Sequence, residues 1–230
     1  MNTIVAGYDG SPDSGTAVRW AAAEARARDA NLVVCSAWDP VLVGDSVARE
    51  HGAEILRRGL GCAQAMLGAA RVESMLVHGS PVSALREAGA AAEMVVVGAR
   101  GQGGLPGLLL GSVPAQLAGH CPVPLVVMRG RLANVQFGPV VAGVDGSAGA
   151  ALAVAFALRE AELHDLPLVA VCGLADAPGS LAGSRRVEED FGDLMIRLEK
   201  EHPGVLVQRD VLPGSARTSL LRIVASTRAA

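Results

Sequence analysis

The chain has 230 residues, half of them hydrophobic, and a formal net charge of −3. That composition is too apolar for a disordered chain, and the longest apolar runs are broken by Gly or Pro, so no transmembrane helix is expected. Six aromatics and a slightly acidic balance argue against a nucleic-acid interface.

The N-terminus, Met1-Asn2-Thr3-Ile4-Val5, has no basic segment and reads as entering a strand, so no signal peptide is expected and the cytoplasm is the expected compartment. Thr3–Tyr8 is an apolar run ending in Asp9-Gly10, the pattern of a buried parallel strand. Ser11-Pro12 supplies an N-cap and an N1 proline for a helix over Ser14–Arg28. Leu32–Ala37 is a second strand, and Val47–Ala70 a helix with fraying expected at Gly59 and Gly61. Val72–Val77 is a third strand, Val82–Ala91 a helix and Met94–Val97 a fourth strand. Gly98–Leu110 is a glycine-rich loop, Ser112–Gly119 a short helix and Val123–Met128 a last strand. Alternating strands and helices predict a parallel sheet with right-handed crossovers and helices on both faces.

The pattern then restarts. Val5-Ala6-Gly7-Tyr8-Asp9-Gly10-Ser11 returns as Val141-Ala142-Gly143-Val144-Asp145-Gly146-Ser147, with six of seven residues identical at an offset of 136. Trp20 corresponds to Phe156, Leu32 to Leu168, Gly79-Ser80 to Gly214-Ser215 and Leu85 to Leu220. The chain therefore reads as a tandem duplication. Residues 1–130 form a complete copy, 131–137 a linker and 138–230 a second copy. That copy has strands at Val140–Val144, Leu168–Cys172 and Val205–Val211, and runs only to the counterpart of Val95. The first strand of the second copy is expected to be left as an exposed edge.

The segment with the most chemistry is Gly98-Ala99-Arg100-Gly101-Gln102-Gly103-Gly104, continuing through Leu105–Leu110 to Gly111-Ser112-Val113. It leaves a strand and opens a helix that Ser112 is expected to cap. Glycines let an anion approach the main chain, and free N–H groups at the helix start favour negative charge. The bland alternative is a glycine-rich surface loop. A Walker-type loop is excluded, because the only lysine is Lys200 and it adjoins no such motif. Asp9, at a strand end, is suited to accept a hydrogen bond from a ribose hydroxyl or to stabilise the following helix start. The cysteines at 35, 62, 121 and 172 form no CxxC pair and read as small apolar residues. The five histidines have no metal-ligand spacing, and no Gly-x-Ser-x-Gly elbow is present.

Gly98-x2-Gly101-x9-Gly111-Ser112 resembles the nucleotide-binding signature of the universal stress protein family. Val5–Ser11 resembles that family's first strand, His78-Gly79-Ser80-Pro81 its turn after the third strand, and Cys121–Val127 its last strand. The resemblance implies a flavodoxin-like sheet in the order 3-2-1-4-5 and, in many members, bound ATP, with Mg2+ as an accompanying ion. It implies that Gly7 and Asp9 lie near ribose and adenine, and that the Ala37 backbone faces the adenine edge. Gly98, Ala99, Arg100, Gly101, Gln102, Gly103 and Gly104 would wrap the phosphates, with Gly111, Ser112 and Val113 completing the cradle. Some tandem members carry an arginine near the position of Leu108, and Arg100 is the residue available to replace it. The implied role is a stress-response sensor or regulator with unidentified protein partners. A protein–protein module without nucleotide and a slow ATPase or autokinase are the alternatives. The resemblance also implies pairing of last strands, so a homodimer through Val123–Met128 is expected. A strictly monomeric chain in sedimentation measurements would exclude it.

Overall fold

The computed structural model describes residues 2–39, 44–103, 110–130, 138–145, 147–174, 181–213 and 215–227. The chain divides into two compact units, Met1–Asn134 and Val135–Ala230.

The first unit runs β1 (Thr3–Gly7), α1 (Pro12–Ala27), β2 (Asn31–Trp38), α2 (Asp45–Leu67) and, after a 3-10 turn at Ala69–Arg71, β3 (Val72–His78). It continues with α3 (Pro81–Gly89), β4 (Met94–Gly98), α4 (Ser112–Leu117) and β5 (Leu125–Met128). All strands are parallel, in the order β3-β2-β1-β4-β5. This is the flavodoxin-like order expected from the sequence.

Strand alternation explains both layers. Val5, Cys35, Val95 and Val97 form one apolar cluster with Ala84, Leu85 and Leu117 from α3 and α4. The alternate residues Ile4, Ala6, Val34 and Val96 are fully buried and point the other way, toward α1 and α2. The buried side of α1 is built from Ala17, Val18, Ala21, Ala22 and Ala25. Such small side chains let the helix lie close to the sheet. Its start is fixed as the sequence indicated: the Ser11 hydroxyl accepts the Ser14 N–H at 3.2 Å, and Pro12 opens the first turn.

Two boundaries differ for physical reasons. Helix α2 is continuous through Gly59 and Gly61. At Gly59 a Cβ would lie 2.5 Å from Tyr8 Cδ1, so the glycine makes room for the tyrosine ring instead of ending the helix. Strand β5 begins at Leu125, after Pro124, which has no N–H for a ladder.

The second unit runs β6 (Val140–Val144), α5 (Ala148–Leu163), β7 (Leu168–Gly173), α6 (Leu181–Glu199), β8 (Val207–Leu212) and α7 (Ala216–Thr227). Its three parallel strands are ordered β6-β7-β8. Its core gathers Val144, Val154, Leu158, Leu168, Ala170, Phe191 and Met195. The two units share local details. Ser147 caps α5 by accepting the Ala150 N–H at 3.2 Å, as Ser11 caps α1. Asp29 (φ 51°) and Asp165 (φ 52°), 136 positions apart, both take the left-handed conformation just after those helices. The segment expected as a linker, 131–137, lies outside the described residues.

Candidate nucleotide site

The strand order reverses between β1 and β4, where the carboxyl ends of the strands diverge and leave a crevice. A cavity of about 410 Å³ opens there. The β1–β2 ladder ends at Gly7 and Cys35, while β2 continues along β3 to Trp38. Ala37 therefore lies past the last β1 pair, on the same strand face as Cys35, and both line the cavity.

Of the residues expected from the sequence, Gly7, Asp9 and Ala37 line the cavity from β1 and β2. Gly98, Arg100, Gly101, Gln102 and Gly103 line it from the loop after β4, and Gly111, Ser112 and Val113 from the approach to α4. Gly104 and Leu108 lie outside the described residues.

Ala99 does not join them. It is 1% exposed, its N–H donates to the Met128 carbonyl at 2.7 Å, and its carbonyl accepts the Gly111 N–H at 2.7 Å. It ties both ends of the loop to the sheet. Ser112 is not the cap of α4 either. It is the first helical residue, Gly111 occupies the cap position, and no side chain bonds the helix start. With only six residues, α4 is also too short for a strong dipole. The glycine main chain, not the helix, forms the rim.

The base of the cavity was not foreseen. Ala84 and Leu85 of α3, Val97 of β4 and the Cys35 thiol give it an apolar lining, with Tyr8, Ser14, Pro81 and Pro114 around them. The available signal was the turn His78–Pro81, which starts α3 beneath β1. Gly7 packs closely there: a Cβ would lie 3.1 Å from Leu85 Cδ1 and 3.2 Å from Val97 Cγ1. Burial pushes the Cys35 thiol pKa up to about 11, so it stays protonated and is no nucleophile at neutral pH.

Asp9 is the best-connected polar group. Its Oδ1 accepts the Ser11 N–H at 3.0 Å, and its Oδ2 accepts the Gln102 N–H at 3.0 Å. Burial raises its pKa, but the bonds from Ser11, Ser14 and Gln102 outweigh burial and hold it below the ordinary carboxylate value. Asp9 is thus ionised at neutral pH. The stability it adds is present above its unfolded pKa and lost as pH falls through the depressed folded value. Nearby, the Ser11 hydroxyl donates to the Arg100 carbonyl at 3.2 Å. Arg100 Nε lies 3.3 Å from Asp13 Oδ2, with the arginine side chain about half exposed. The Asp13 carboxylate is about nine-tenths buried, so this pairing holds Arg100 beside the first turn of α1.

A doubly wound parallel sheet with a glycine-rimmed cavity at its switch point makes the first unit a flavodoxin-like α/β unit. Comparison with known proteins narrows this. The model of the universal stress protein family matches residues 1–129. A universal stress protein of Mycobacterium bovis is 30% identical over 248 residues, covering 98% of this chain and 84% of that protein. One from Mycobacterium tuberculosis is 32% identical over 232 residues, covering 91% and 78%. The crystal structure of a universal stress protein from Archaeoglobus fulgidus superposes with a TM-score of 0.71 at 18% identity, over 98% of this chain and 83% of that one. The last likeness concerns the fold alone. The chain belongs to the universal stress protein family. Among the described residues, no helix is long and apolar enough to cross a membrane.

Proposed function

We infer that the first unit binds an adenine nucleotide, ATP, and that the protein is a nucleotide-responsive regulator of the stress response. The observation that carries this is the two-part character of the cavity: an apolar base under a rim of glycine main chain. The base, with Ala37, Ala84, Leu85 and Val97, suits the flat apolar faces of a purine. The Ala37 main chain, past the end of β1, stands at the edge of that pocket. The rim, with Gly98, Gly101, Gly103, Gly111 and Ser112, suits phosphate oxygens, which approach a main chain only where no Cβ intervenes. A cavity of about 410 Å³ is within the usual range for a bound small molecule.

Arg100 is the single charged residue between Gly98 and Pro114. The two nearest carboxylates are already engaged, Asp13 by Arg100 and Asp9 by main-chain amides. A Mg2+ ion arriving with ATP would therefore be carried mainly by the phosphates. Among the described lining residues the one carboxylate, Asp9, has both oxygens engaged by main-chain amides, and the proposed role is binding. A second copy would dock through β5, an edge strand of the sheet whose Val127 is exposed.

Calorimetric titration of the purified protein with ATP tests the proposal. Saturable binding is expected, with a dissociation constant in the micromolar range, about −8 kcal/mol. A flat titration of folded, nucleotide-free protein overturns it.

A further inference from the structure

The loop after β4 is held by two separate sets of contacts. Its base is closed by the Gly111 N–H on the Ala99 carbonyl and by the Ser11 hydroxyl on the Arg100 carbonyl. Beyond that base, Gln102 reaches back 93 positions to Asp9 with two bonds. Its main-chain N–H donates to Asp9 Oδ2 at 3.0 Å, and its side-chain amide donates to the Asp9 carbonyl oxygen.

Two glycines make this approach possible. At Gly101 a Cβ would lie 2.5 Å from Asp9 Oδ2. Gly10 has φ +84°, and a Cβ there would lie 2.9 Å from Gln102 Nε2. The second unit separates the two duties of the aspartate. Asp145, the counterpart of Asp9, is exposed and keeps the turn bond, accepting the Ser147 N–H at 2.9 Å. One carboxylate oxygen is enough for that turn. In the first unit the other oxygen is committed to the loop.

We propose that Gln102 is a positioning residue: with Asp9 it forms a clasp that holds residues 101–103 over the cavity mouth, where their main chain meets the phosphates of a bound nucleotide. The proposal rests on the nucleotide reading above and adds how the site selects a phosphate-bearing ligand. Gln102 is exposed, so neither bond is strong alone. Two bonds from one residue fix both position and orientation. The clasp therefore acts on the phosphate end of the ligand and little on the nucleoside end.

The test compares dissociation constants for ATP and for adenosine in the wild-type chain, Gln102→Ala and Gln102→Glu. The glutamate has the reach of glutamine but cannot donate to the Asp9 carbonyl, and it places a negative charge beside the Asp9 carboxylate. The preference for ATP over adenosine is expected to fall about tenfold in Gln102→Ala and further in Gln102→Glu. An unchanged preference, or a glutamate variant that behaves as wild type, overturns the clasp while leaving the nucleotide reading standing. Failure of the wild-type chain to bind ATP overturns the nucleotide reading itself.

Discussion

Gly98→Ala is expected to destabilise the first unit by about 2–4 kcal/mol, the largest effect of any single methyl group in the loop. Gly98 ends β4, past the last β1 pair at Val96 and paired with Met128 of β5 on the other side. A Cβ there would lie 2.6 Å from the Asp13 carbonyl carbon and 2.6 Å from the Ser14 nitrogen. Those are main-chain atoms of the first turn of α1, not the end of a side chain that could swing aside. That turn is pinned by the Ser11 cap and by the buried alanines of the helix. Strand β4 is pinned by its pairing with β1 and β5. Relief requires α1 to move off the sheet, which opens the Ala17–Ala25 face. Thermal unfolding followed by circular dichroism should show the first unit melting roughly 10 °C lower. Gly103→Ala is the matched control. Nothing lies within 4 Å of a Cβ at Gly103, so its effect should stay within about 0.5 kcal/mol. Equal melting temperatures for the two variants would refute the close packing of β4 on α1.

Gly98 also shows what a sequence does and does not disclose. The motif places a glycine at the strand end, and phosphate approach is a sufficient reason for it. The structure adds a second reason, the first turn of α1, that no local pattern contains, because residues 13 and 98 meet only once the sheet is assembled. The same division recurs elsewhere. Strand positions and order were legible, since short apolar runs between helical segments leave few alternatives for a parallel sheet. The Ser11 cap was legible because capping is decided within four residues. Gly59 was misread as a weak point in α2, because the Tyr8 ring that occupies its missing side chain comes from the segment after β1, distant in sequence. Ala99 was placed with the phosphate contacts because it sits inside the motif, yet its hydrogen bonds to Met128 and Gly111 turn it inward. Ser112 looked like a cap, and Gly111 took that position because its N–H is held by Ala99. The cavity base was invisible for a related reason. Ala84 and Leu85 look like any buried face of α3, and only the crossover beneath β1 makes them a wall of the site.

Gly101→Glu is expected to weaken ATP binding at least about a hundredfold, about 2.7 kcal/mol, while costing the fold less than Gly98→Ala. Two effects act in the same direction. The first is steric: the Cβ alone would lie 2.5 Å from Asp9 Oδ2, so the carboxylate must leave its bond with the Gln102 N–H. The second is electrostatic. The new carboxylate stands beside Asp9, which its hydrogen bonds keep ionised, and at the rim proposed to receive phosphates. Arg100, the single base of that loop and already paired with Asp13, cannot neutralise both. The fold is affected less because Gly101 lies beyond the anchored Ala99 and Arg100, and the obstacle is the end of a side chain and not main chain. Gly101→Ala separates the two contributions. It retains the steric displacement without the charge, and should weaken ATP binding about tenfold with adenosine less affected. Calorimetry on the three proteins decides the matter. If the glutamate variant binds ATP as tightly as the wild-type chain, the nucleotide does not lie under this loop. If alanine and glutamate weaken binding equally, charge at the rim plays no part in holding the ligand.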